Sequence, residues 1–231
     1  MKIFCDSASV SDVLQYSKDA SISGFTTNPT LMKKAGVTDY LDFARRVVEV
    51  IDSKPVSFEV FSREPLEMKR QALLLASLGD SVYVKITPFN YDGSPLWETI
   101  ESLSSSGVQL NVTAVFTTEQ VQEICNRLNP KINSIISIFA GRIADAGVDP
   151  EPIVKQAKET CLISSSAWEV LWASPREVFN IIQAERSGAD IITATPEILS
   201  KRRLFGKDLN DFSLETTKMF MDDASAAGYT L

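Results

Sequence analysis

No histidine occurs among the 231 residues. That removes the Ser-His-Asp and Cys-His pairs of nucleophilic hydrolases and every histidine-ligated metal. Cysteine is scarce. Cys5, Cys125 and Cys161 make neither a CxxC pair nor a disulfide framework, so a reducing, cytoplasmic setting is expected. None of the ten glycines stands two residues from another, so there is no GxGxxG turn, and the glycine-rich loop of P-loop nucleotide binders is absent as well. No apolar run approaches the ~20 residues needed to span a bilayer. The opening Met1-Lys2-Ile3-Phe4-Cys5-Asp6 meets a charge too early for a signal peptide. Positive charge is outweighed, 23 Lys and Arg against 30 Asp and Glu, a net −7. No nucleic-acid partner is expected from that balance, and no membrane partner from the lack of a spanning run. An enzyme built from this chain has to work with lysine, carboxylates and hydroxyls.

What is present is a regular alternation of strand-like and helix-like stretches. The strands read as Lys2–Asp6, Gly24–Thr27, Val56–Phe61, Val82–Thr87, Gln109–Phe116, Ser134–Ala140, Glu169–Ser174 and Asp190–Ala194. Between them, Pro65–Leu78, Pro95–Ser104, Thr118–Leu128, Pro150–Thr160 and Pro175–Ser187 repeat apolar residues at three and four, as helices packed on a sheet require. Ser94-Pro95 and Ser174-Pro175 read as a cap followed by a first helical residue. Gly79, Gly107 and Gly188 read as helix-ending glycines. Eight βα units predict a (β/α)8 TIM barrel over residues 1–231, with a doubly wound open sheet as the alternative. No linker or shift of composition divides the chain. The basic cluster Arg202-Arg203-Leu204-Phe205-Gly206-Lys207 reads as a solvated or subunit-facing segment.

Lys85 stands out. It lies inside Val82-Tyr83-Val84-Lys85-Ile86, and a lysine in an apolar strand is rarely buried without a partner or a task. Burial disfavours the charged form of an amine, and a neutral amine can attack a carbonyl to form a Schiff base. Other strands also end in polar groups: Asp6, Asn28, Glu59, Asn111 with Thr113, Arg142, and Ser174 with Arg176. In a barrel, chemistry sits at those ends. Schiff-base chemistry needs an amine, an acid to expel water and a base to break the carbon–carbon bond. Lys85, Asp6 and Glu59 match those needs. Asn28, Asn111 and Thr113 can hydrogen-bond a polyol or a water. Arg142 and Arg176 can grip a phosphate, assisted by free amides at a helix start at Ser174-Pro175. Cys5 reads as a buried small hydrophobe, and Trp172 is the tryptophan close enough to touch substrate.

These motifs resemble the transaldolases, specifically the short subfamily that includes fructose-6-phosphate aldolase. The resemblance runs through Gly24-Phe25-Thr26-Thr27-Asn28-Pro29-Thr30-Leu31, Val84-Lys85-Ile86, Asn111-Val112-Thr113, Phe139-Ala140-Gly141-Arg142 and Trp172-Ala173-Ser174-Pro175-Arg176. It implies Lys85 as the Schiff-base lysine, Asp6 as the general base and acid, and Glu59 with Thr113 around a catalytic water. Asn28 and Asn111, with Thr27 and Phe139 nearby, would bind the dihydroxyacetone unit. Arg142, Ser174 and Arg176 would bind a sugar phosphate. No metal and no cofactor is implied. Glu59 and Phe139 are similar to the transferase branch, where the aldolase branch has Gln and Tyr. Ile138, Ala144 and Pro175 depart from the family pattern, and Ile163–Trp168 is unusual for its three serines. The implied activity is transfer of a dihydroxyacetone unit between sugar phosphates in the pentose phosphate pathway. A lyase releasing dihydroxyacetone and a non-catalytic sugar-phosphate binder are the alternatives. The resemblance also implies a homo-oligomer, pentamer or decamer, with a helical tail over 212–231 reaching a neighbour. In that tail Leu214–Ala226 is expected as an amphipathic helix with Phe212, Met219 and Phe220 to bury.

Overall fold

The computed structural model describes residues 1–230. The first elements are β1 (Lys2–Asp6), α1 (Val10–Ser17), β2 (Gly24–Thr26), α2 (Pro29–Lys34), α3 (Tyr40–Val50), β3 (Val56–Glu59) and α4 (Pro65–Ala76). Next come β4 (Val82–Ile86), α5 (Trp97–Ser105), β5 (Leu110–Val115), α6 (Thr118–Arg127), β6 (Ser134–Ile138), α7 (Ala140–Asp145) and α8 (Glu151–Ser164). The remainder is β7 (Trp168–Trp172), α9 (Asn180–Arg186), β8 (Ile191–Ala194), α10 (Pro196–Ser200), a 3-10 turn at Lys201–Leu204 and α11 (Leu209–Ala226). Among the described residues the eight strands are parallel and close in sequence order, β8 pairing β1. This is the (β/α)8 barrel; the open-sheet alternative is excluded by that closure. Two compact units divide the chain, Met1–Leu199 and a second starting at Ser200.

Strand alternation sorts the side chains. Residues of one parity, such as Cys5, Phe25, Phe58, Val84 and Val170, join a large apolar cluster with the inner faces of the helices. The other parity points into the barrel. There Phe4, Ile135, Leu171, Ala173 and Ile191 form a second cluster, with Tyr83 and Phe139 packed on it. Gly24 makes room for this cluster: a Cβ there would lie 2.6 Å from the Phe4 ring. Further along the same strands the interior turns polar.

Several helix boundaries differ from the sequence reading. Pro95 pairs with Phe89 in a bridge, and α5 starts only at Trp97. Ser174 takes a left-handed φ of 60°, and α9 starts at Asn180. Gly107 and Gly188 do end helices with φ of 85° and 80°, whereas Gly79 is not left-handed. The serine run that begins with the last residue of α8 is a helix stop. Ser165 Oγ donates to the Pro130 carbonyl at 2.7 Å and accepts from the Ala167 amide at 3.0 Å, after which β7 begins. In the second unit α11 begins at Leu209, five residues before Leu214, because Asp208 caps the Asn210 and Asp211 amides at 2.8 and 3.1 Å. No residue of α11 is buried; Phe212, Met219 and Phe220 are 39%, 50% and 63% exposed. No helix among the described residues is long and apolar enough to cross a membrane.

Candidate active site

A cavity of about 410 Å³ opens at the C-terminal ends of the strands. Its walls include Asp6 (β1), Asn28 (after β2), Glu59 (β3), Lys85 (β4), Asn111 and Thr113 (β5), Phe139 (after β6), Arg142 (α7) and Ser174 (after β7). Register explains the convergence. Asp6 is level with Thr26, and Glu59, Lys85 and Asn111 are level across three neighbouring strands.

Lys85 is buried, 6% exposed. Its Nζ donates to the Thr27 carbonyl at 2.9 Å and lies 3.5 Å from Glu59 Oε2. Asp6 opens on the cavity but is walled by the barrel on its other sides. Burial holds its carboxyl above the ordinary carboxylate value, against the opposing pull of the Lys85 charge and the Thr26 hydrogen bond. Thr26 Oγ1 donates to Asp6 Oδ1 at 2.7 Å and lies 2.6 Å from Thr193 Oγ1. Asn111 is clamped at both ends: its Nδ2 donates to Ser57 Oγ at 3.0 Å, and its Oδ1 accepts from Ser137 Oγ at 2.7 Å. Thr113 Oγ1 is buried without a protein partner, a polar group available to a water or substrate. Asn28 lines the cavity while its Oδ1 caps α2 through the Leu31 amide at 3.0 Å.

The far side is shaped by close packing of backbone. The β5–β6 register slips between Val112 and Val115, where Ala114 takes φ of 58°. Gly141 lies so near the end of β7 that a Cβ would sit 1.6 Å from the Ser174 carbonyl oxygen. That approach brings the start of α7, with Arg142, against Ser174. Arg142 lines the cavity, its guanidinium 5.7 Å from the Phe139 ring centroid.

Three residues singled out in the sequence, Thr27, Arg176 and Trp172, do not line the cavity. Thr27 has the outward parity and contributes its backbone carbonyl, while Thr26 carries the inward hydroxyl. Arg176 is engaged by Asp145, Nε to Oδ1 and Oδ2 at 3.1 and 3.0 Å with Nη2 also bound, and this holds the Asp145 carboxyl below the usual range. The free amides expected at Ser174-Pro175 are not free, since Asn180 Oδ1 accepts from the Arg176 and Glu177 amides at 2.7 and 3.1 Å. Trp172 is 1% exposed and belongs to the outer cluster, away from the cavity. Cys5 is buried, and desolvation with Asp6 and Asp12 nearby pushes its thiol up to about 12, so it stays a neutral packing group. Sequence reasoning missed Thr26 and Ser137 in the wall, and Ser57 and Thr193 behind it, where they bond Asn111 and Thr26. The available signal was parity, since each shares the inward face of its strand with a residue already suspected or with the apolar floor. Among the described residues no three His, Cys, Asp or Glu side chains gather in a metal-binding group.

A family model described as Transaldolase/Fructose-6-phosphate aldolase matches residues 3–230. A probable transaldolase of Chelativorans sp. is 33% identical over 222 residues, covering 94% of this chain and 97% of the relative. One from Methanococcus maripaludis is 32% identical over 216 residues, covering 93% and 94%. One from Rhizorhabdus wittichii is 30% identical over 232 residues, covering both chains fully. The crystal structure of dihydrodipicolinate synthase from Rhodopseudomonas palustris superposes with a TM-score of 0.57 at 14% identity, over 84% of this chain and 69% of that one, a likeness of fold alone. With the family match running nearly end to end and the relatives aligned over almost their full lengths, this chain belongs to the transaldolase/fructose-6-phosphate aldolase family.

Proposed function

We propose that this chain is a class I transaldolase that works through a Schiff base on Lys85. The observation that carries the reading is a buried lysine whose amine is held between a carbonyl and a carboxylate, inside a cavity that also holds Asp6. The neutral Lys85 amine attacks the ketose C2 carbonyl and forms a carbinolamine. Glu59, with Thr113 beside the departing water, passes to the carbinolamine hydroxyl the proton that Lys85 gave up on becoming neutral; water leaves, and the protonated Schiff base remains. Asp6 takes the proton from the C4 hydroxyl. The C3–C4 bond then breaks, its electron pair moves into the iminium as an enamine, and the aldose leaves. An acceptor aldehyde reverses these steps, taking the proton back from Asp6, and water frees the product ketose. The lysine is its own electron sink, so the reading calls for no metal or organic cofactor.

The donors proposed are sedoheptulose 7-phosphate or fructose 6-phosphate, with glyceraldehyde 3-phosphate or erythrose 4-phosphate as acceptor, the substrates of the pentose phosphate pathway. Asn28 and Asn111 bind the dihydroxyacetone hydroxyls beside Thr27 and Phe139. Arg142 and Ser174 hold the phosphate, and Arg176 joins them by exchanging the Asp145 carboxylate for it. Glu59 and Phe139 favour transfer over release, and the lyase remains the second reading within the same family. Three unbridged cysteines support a reducing, cytoplasmic setting. The exposed apolar residues of α11 support an assembly in which another copy covers them, as a pentamer or decamer.

Borohydride reduction with fructose 6-phosphate tests the reading. A covalent adduct located on Lys85 by peptide mass is expected. Its absence would favour a non-catalytic binder. Rapid dihydroxyacetone release without erythrose 4-phosphate would favour the lyase.

A further inference from the structure

The ladder between β2 and β3 breaks off beside Glu59, and a side chain takes its place. In a parallel pair, alternate residues present both N–H and C=O to the same neighbour. Val60 N bonds Lys85 O on β4 at 3.1 Å, and Thr27 N bonds Ser57 O at 3.3 Å, so Ser57 and Glu59 present their backbone groups to β2. A continued ladder would next run from Glu59 N to Thr27 O, and then from residue 29 N to Glu59 O. Residue 29 is Pro29, which has no N–H to give. Thr27 O is turned to Lys85 Nζ instead. The Tyr40 hydroxyl fills the gap, accepting from Glu59 N at 2.8 Å and donating to Glu59 O at 2.8 Å. Tyr40 is the first residue of α3, set by the Asp39 cap at 2.9 Å, and its ring meets Phe61 edge-on at 5.3 Å. Burial pushes its phenol above the ordinary tyrosine value, so the donor proton stays in place.

We propose that Tyr40 is a positioning residue for the Lys85 centre: by standing in for β2 at Glu59, its hydroxyl fixes the Glu59 backbone and leaves the Thr27 carbonyl free to hold the Lys85 amine. Tyr40 itself touches no reacting atom. Without the hydroxyl, Glu59 N has one ready acceptor, Thr27 O, and Lys85 would lose its carbonyl partner. The proposal rests on the Schiff-base reading.

The test compares the parent, Tyr40→Phe and Phe61→Ala, the last disturbing the ring packing while keeping the hydroxyl. Tyr40→Phe should lower kcat by about ten- to a hundredfold, the scale of a displaced reacting group, with KM changed less than about threefold. The rate of borohydride-trapped adduct formation should fall in parallel, and the pH–rate profile should move. Phe61→Ala should lower Tm while leaving all three readouts near the parent's. Equal kcat, trapping rate and pH profile in Tyr40→Phe and parent would overturn the proposal. Recovery of Tyr40→Phe only as unfolded protein would also overturn it, by confining the hydroxyl to folding. No adduct in the parent would overturn the Schiff-base reading first; an adduct in the parent with an unaffected Tyr40→Phe would overturn only the role of Tyr40.

Discussion

The two ends of the barrel interior are built from the same strands and differ in every respect that matters for chemistry. At the N-terminal end Phe4, Ile135, Leu171 and Ile191 fill the space with apolar side chains, and Gly24 lets the Phe4 ring lie against the wall. Two residues further along the same strands stand Asp6, Thr26 and Thr193, with Ser137 on the neighbouring wall. One end gains from excluding water around large apolar side chains. The other holds charges and hydroxyls that satisfy one another only in part, leaving Thr113 Oγ1 unpartnered and the Asp6 carboxyl held high. A rigid apolar floor under a polar layer is what allows such unfavourable groups to persist in fixed positions.

The contrast can be broken most completely at Lys85. On the Schiff-base reading, Lys85→Met should abolish turnover with every substrate by removing the covalent step, while the floor keeps the barrel folded. Steady-state assays with circular dichroism check both halves of that statement.

Asp6→Asn should lower kcat by about 10²–10⁴-fold, the range for a lost general base. Its effect on stability has the opposite sign. The folded protein binds the Asp6 proton more tightly than the unfolded chain does. The stability from that group is therefore full below the ordinary carboxylate range and is lost as pH rises through the raised value. At pH 7 the amide should be the more stable form, by on the order of 2–4 °C in Tm for each ~1 kcal/mol relieved. The advantage should vanish in acid. Thermal melts at pH 7 and pH 3 would show it, and a lower Tm for Asp6→Asn at pH 7 would contradict it. The same raised value places the acid limb of the parent's kcat/KM profile above the range of an ordinary carboxylate.

Arg142→Ala should weaken phosphorylated substrates by about ten- to a hundredfold through the loss of charge-assisted hydrogen bonds. Free dihydroxyacetone, which has no phosphate, should be nearly unaffected. An equal loss in kcat/KM for both would make Arg142 a wall residue.

The floor should answer differently. Leu171→Ala should cost about 2–5 kcal/mol of stability, read by urea unfolding, through lost burial and a cavity. Its effect on kcat of the remaining folded enzyme should be the smallest of the series. A large drop in kcat without a change in stability would show that the two ends are not separable.

Much of this was legible before the structure. Lys85, Glu59 and Asp6 could be picked out because each is a charged residue next to apolar strand neighbours, and parity puts each on a single face. Thr27 and Arg176 show the limit of such reading. A strand ending in Thr26-Thr27 has two hydroxyls on opposite faces, and only closure of the sheet decides which face is inside. Arg176 sits one residue beyond Ser174-Pro175, yet the helix expected there starts late and Asp145, 31 residues away in sequence, occupies the guanidinium.

By itself the sequence determined the order of strands and helices, the chemistry available without histidine, and the strands on which the charged groups lie. These depend on residue type and local period, which act over a few neighbours. Only the tertiary structure decided that Glu59, Lys85 and Asn111 stand level, that Asn111 is clamped by two serines, and that the Tyr40 hydroxyl replaces a strand beside Glu59. Those facts depend on register between strands and on the way a crossover helix returns to the sheet. Both are set by closing the whole barrel, and no local stretch of residues contains them.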